Sequence, residues 1–162
     1  MAKTLPVWKT IRLGTGRKSA AGFPRAIRKS KMAIANRAKN IFEDRNFDVA
    51  GRKMEVELVK VTVAELGFKK GARIEQVYSR AKELGLELCP AEVGPQLRLQ
   101  YRDQPEGEWM IIAMEPMRES DGFKSIFFLG RNGSRIWLNT TFGEHDSWEG
   151  FVQVVFVRPR KK

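Results

Sequence analysis

Hydrophobic and polar positions alternate over residues 7–13. Val7, Ile11 and Leu13 fall on one face of an extended chain and Trp8, Thr10 and Arg12 on the other. The pattern predicts a strand, which Gly14-Thr15-Gly16 breaks. From Ser19 to about Phe42 the spacing turns helical, in two pieces, because Pro24 fits only a first turn or an end. Ile34, Ala38, Ile41 and Phe42 form the apolar stripe of the second piece.

Over residues 54–63 the two-residue period returns. Met54, Val56 and Leu58 share one face; Val59, Val61 and Val63 share the other. That slip predicts a bulge, or a strand crossing from one environment to another. Thr62 and Glu65 have capping-box spacing for a single turn ended by Gly67. The clearest helix covers residues 73–84, with Ile74, Val77, Tyr78, Ala81 and Leu84 as its stripe and Gly85 at its end. Residues 109–114 read as a buried strand by apolar continuity. Residues 125–129 and 135–139 flank the Asn132-Gly133 hairpin signal, and 151–157 close the sheet. Strands before and after the helices, without regular alternation, predict an α+β fold: a mostly antiparallel sheet with two to three helices. One domain is expected over 1–162.

Charge divides this domain. The formal net charge is +11 on 162 residues. Residues 1–42 hold 11 basic residues and no acidic one, whereas 43–162 hold 19 of each. A basic strand–helix segment (1–42) thus precedes a neutral α+β body (43–158). The one cysteine, Cys89, excludes an internal disulfide and fits a reducing compartment. Lys9 and Arg12 interrupt any signal-peptide core, and the longest clean apolar run, 109–114, is too short for a membrane span. A cytoplasmic protein without a membrane partner is expected. With one histidine and one cysteine, no zinc site and no cofactor is signalled. His145, between acidic neighbours, reads as an exposed loop residue rather than part of a nucleophile turn.

Three stretches carry a family resemblance: Thr62-Val63-Ala64-Glu65-Leu66-Gly67-Phe68; residues 80–101, including Leu84-Gly85-Leu86-Glu87-Leu88-Cys89-Pro90 and Gly94-Pro95-Gln96-Leu97; and Trp109 with Ile112-Ala113-Met114-Glu115-Pro116. In these the chain resembles a family of small bacterial proteins to which no activity is assigned. The resemblance runs from about Trp8 to Arg160 and transfers no catalytic or binding residue. It implies relatives that are less basic before residue 42, so that this charge belongs to the present chain.

The basic segment carries the functional expectation. On one helix, Lys18, Arg25, Arg28 and Lys29 fall within a narrow arc opposite Ala20, Phe23 and Ile27, a surface suited to a phosphate backbone. Arg12, Arg17, Lys18, Arg25, Arg28, Lys29, Arg37 and Lys39 are the expected contacts with DNA or RNA, without catalysis. An acidic protein docked on the same face is the alternative. A second alternative is a metal-independent, toxin-like RNase using Arg98, a Glu or His145. Gly14-Thr15-Gly16-Arg17-Lys18-Ser19 lacks the glycine before Lys-Ser that a P-loop needs, and reads as a plain turn. Residues 89–98, with two prolines and a glycine, read as a rigid loop. There Glu92, Gln96, Arg98 and Arg102 either line a pocket beside Trp109 or Trp137, or pair Glu92 with Arg98 to hold the loop on the sheet. Cys89 reads as a small buried hydrophobe. Trp8, Trp109 and Trp137 lie in or beside apolar strands, which favours the core, and acids flank Trp148.

Overall fold

The computed structural model describes residues 5–15, 19–119 and 122–160. The alternating N-terminal stretch becomes β1 (Lys9–Leu13), burying Ile11 and Leu13 and exposing Thr10 and Arg12. A 3-10 turn (Ala20–Gly22) leads into α1 (Phe23–Lys29), with Pro24 in the first turn, where no intrahelical N–H is needed. The second helical piece is shorter than its pattern implies. Ala33–Ile34 is a strand, β2, and the helix α2 spans Asn36–Ile41. Ile34 therefore leaves the helical stripe, whereas Ala38, Ile41 and Phe42 are buried as that stripe requires.

There follow β3 (Met54–Thr62), a 3-10 turn (Ala64–Leu66), β4 (Ala72–Arg73), α3 (Ile74–Glu83), α4 (Val93–Gln100), β5 (Trp109–Ile112), β6 (Met117–Arg118), β7 (Lys124–Asn132), β8 (Arg135–Phe142), β9 (Ser147–Trp148) and β10 (Gln153–Arg158). Eight strands form one curled, mostly antiparallel sheet in the order β1-β3-β10-β5-β7-β8-β2, with β6 beside β7; β4 and β9 pair separately. Only β10–β5 and β2–β8 are parallel. The fold is α+β, with a larger sheet and four helices where two to three were expected.

The slip in β3 is a change of neighbours, not a bulge. Its register is continuous with β1 over 54–58 and with β10 over 57–62. The Thr62–Glu65 capping box closes reciprocally: Thr62 N–H donates to Glu65 Oε1 and Glu65 N–H to Thr62 Oγ1, both at 3.0 Å.

Two apolar layers flank the sheet. On one face Phe23, Phe42, Phe47 and Phe127 interlock with centroids 5.2 to 6.4 Å apart. Each such pair contributes roughly 0.5–1.5 kcal/mol beyond its buried area, so the segment carrying α1 and α2 is fastened to the sheet. Gly94 of α4 lies against Phe127 on this same face; a Cβ there would sit 2.4 Å from the ring. On the opposite face α3 packs Tyr78 edge-on against Phe156 of β10 at 6.1 Å. No helix among the described residues is long and apolar enough to cross a membrane.

Candidate nucleic-acid interface

A segment without acids in sequence does not stay without acids in space. Arg37 on α2 donates to Glu119 Oε2 at 2.9 Å, and that carboxylate is 3% exposed. Arg12 stands directly across from Glu55 in the β1–β3 register, on the outer face. Lys39 reaches Asn36 Oδ1 at 3.2 Å along its own helix. Arg17 and Lys18 lie outside the described residues.

Arg25, Arg28 and Lys29 behave differently. All three are exposed on α1, opposite the buried Phe23 and Ile27, and no carboxylate of the described residues forms an ion pair with them. Arg28 Nε donates to the Pro24 carbonyl at 3.4 Å. Arg28 and Lys29 occupy the last turn, where cations also complement the helix dipole. Exposed Arg102 extends the patch, its guanidinium donating to the Ser30 carbonyl that ends α1, at 3.4 Å. Of the six described basic residues expected to act together, the helix thus groups three, and Arg102 joins them from outside the segment.

Residues 89–98 are not a loop throughout: from Val93 they form α4. Gly94 and Pro95 stand in its first turn, where a missing N–H costs nothing. Glu92, Gln96 and Gln100 recur every four residues along it and make a polar ladder. Glu92 accepts the N–H of Gly14 through Oε2 and of Ala50 through Oε1, both at 2.8 Å, and Gln96 Nε2 at 3.0 Å. Gln96 Nε2 also reaches Thr15 Oγ1 at 2.9 Å. Gln100 clasps Arg12 twice through backbone atoms, at 2.9 and 2.8 Å. The ladder fixes the end of β1.

Arg98, with no exposed surface, points the other way. It donates to Gln104 Oε1 at 2.7 Å and to the carbonyls of Tyr101, Trp137 and Gly130 at 2.5, 3.2 and 3.3 Å. Burial pushes its guanidinium down to about 10. Glu92 and Arg98 therefore do not pair: each serves neutral partners, on opposite sides of α4. Glu92, Gln96 and Arg98 are buried in these contacts and Arg102 is exposed, so the structure does not gather the four around one opening.

The tryptophans divide. Trp148 is buried, and half-buried Trp8 packs edge-on against Tyr101 at 5.2 Å. Trp109 is 37% exposed, so the apolar run 109–114 is buried except at its first residue. Trp137 borders a surface cleft of about 320 Å³ with Phe128, Arg135 and Asn139. His145 is exposed, and Cys89 is buried with its thiol pushed up by desolvation. Among the described residues no cluster of His, Cys, Asp and Glu is arranged to ligate a metal.

Comparison with protein-family models, with curated proteins and with solved structures finds no match.

Proposed function

We propose that the protein binds nucleic acid without catalysis, through the outer face of α1. The observation that carries the reading is the grouping of Arg25, Arg28 and Lys29 on one exposed helix face, clear of any ion-paired carboxylate among the described residues and joined by Arg102. Cations held this way neutralise phosphates and release condensed counterions, a sequence-independent source of affinity. The aromatic packing beneath α1 supports the reading, because the patch sits on a rigid base. An acidic protein would meet the same charges, and nuclease treatment separates the two: a partner retained from lysate after digestion belongs to the protein class.

The test is charge reversal at Arg25, Arg28 and Lys29 together to Glu. Their exposure leaves the fold intact, checked by circular dichroism, and binding of labelled DNA and RNA is lost. Undiminished binding by the folded triple variant rules the α1 face out.

A further inference from the structure

Beyond α3, one side of the sheet carries a row of aromatic rings. Register puts Trp109, Gly130 and Trp137 side by side across β5, β7 and β8, with Phe128 two residues along β7 on the same face. The rings meet edge to face: Trp109 to Phe128 at 6.4 Å, Phe128 to Trp137 at 5.0 Å, and Trp109 to the 65%-exposed Phe151 at 6.4 Å. Gly130 makes the row possible. A Cβ there would stand 2.3 Å from the Trp137 ring and 2.9 Å from Trp109 Cβ, so only glycine lets the indole lie across the strand.

Three further features point to a ligand. The outward positions of these strands carry Lys124 and Arg135 as charges, Asn132 and Asn139 as amides, and no Asp or Glu. Trp137 Nε1, within the row itself, is buried with its donor unpartnered among the described residues, as are Arg98 Nε and Ser125 Oγ elsewhere in the fold. The exposed end of the row, Trp109 with Phe151, borders a second cleft of about 170 Å³, whose rim also carries Glu108 and Gln153. Finally, α1 runs on into β2, whose Ala33 pairs with Trp137, so the basic helix and the aromatic row meet one sheet edge from its two faces.

We propose that this aromatic row on β5, β7 and β8 stacks the unpaired bases of a single-stranded nucleic acid whose phosphates meet the neighbouring cations. The inference takes the class of polymer from the α1 reading and adds its strandedness and a second surface. Aromatic rings stack on any base, whereas a duplex keeps its bases inside the helix.

The experiment measures anisotropy of a labelled 12-nucleotide oligo(dT) and of a 12-base-pair duplex with the wild type, Trp109→Leu, Trp137→Leu, Phe128→Leu, Trp137→Phe and the α1 triple variant. Thermal melts establish which variants fold; exposed Trp109→Leu serves if a more buried one does not. Each leucine variant loses about tenfold in oligo(dT) affinity, from the contribution of one stacked base, and keeps duplex affinity within about twofold. Trp137→Phe restores most of the loss. Wild-type oligo(dT) affinity in the folded leucine variants, or an equal loss on both polymers, overturns the proposal. If those variants lose oligo(dT) while the α1 triple variant loses nothing, the α1 reading falls and this one stands. A wild type that binds neither polymer ends both.

Discussion

Arg37 Nη2 lies 2.9 Å from Oε2 of Glu119, a buried carboxylate 82 residues further along the chain whose other oxygen accepts Thr140 Oγ1, also at 2.9 Å. Under the proposed function, this pair takes Arg37 out of the set that would meet phosphate. Among the described residues, Arg37→Ala leaves Glu119 buried with the Thr140 hydroxyl as its side-chain donor. Because the arginine side chain is half exposed, water offsets part of the loss, and a cost of about 1–3 kcal/mol is expected. A urea midpoint reads that cost, and nucleic-acid affinity of the folded variant stays within about twofold of wild type.

Glu92 makes a second structural prediction. Its carboxylate accepts two backbone N–H groups from distant parts of the chain, so Glu92→Gln turns an amide donor toward a donor at one of them. Leaving a buried N–H unsatisfied costs about 1–3 kcal/mol. The change is expected as lower stability in urea together with faster amide exchange at Gly14 or Ala50. Unchanged stability contradicts a bracing role for the ladder.

Burial raises the Cys89 thiol above its ordinary value of 9.0, so the folded protein keeps a proton that the unfolded chain releases. The unfolded state then binds fewer protons, and stability falls as pH rises past about 9. Tyr78 and Tyr101, also raised by desolvation, add to the fall above their ordinary 10.0. Arg98, pushed down to about 10, acts in the opposite sense from there toward 12.5. The window between pH 9 and 10 therefore isolates the thiol. Urea midpoints of wild type and Cys89→Val keep a constant offset below pH 8 and diverge above pH 9, the wild type losing more. In the folded protein Cys89 reacts with thiol reagents only at the rate of unfolding.

What the sequence disclosed follows the range of the forces involved. Period-two and period-3.6 patterns place β1, β3, α3 and the β7–β8 hairpin, because those arise between near neighbours. Ile34 misleads, since its partner Leu138 lies across a parallel pairing more than a hundred residues away. In α4 the glycine and proline read as loop signals, yet both stand in a first turn, and Gly94 is there to admit Phe127. Charge counting finds the basic segment but not Glu119, which pairs with it from elsewhere, or Glu55, which stands opposite Arg12 in the β1–β3 register. Apolar continuity likewise marks Trp109 and Trp137 as core, because sequence does not say which half of a sheet a helix leaves open.

The most direct test of the central claim is a salt titration of nucleic-acid binding by the wild type and by the Arg25, Arg28 and Lys29 triple Glu variant. Three phosphate contacts give a slope of log K against log salt of about −2.1 on single strands and about −2.7 on duplex, and reversal of the three charges removes it. On duplex that slope weakens wild-type binding roughly 40-fold between 50 and 200 mM salt. Salt-insensitive wild-type binding, or the same slope in the folded triple variant, contradicts the account.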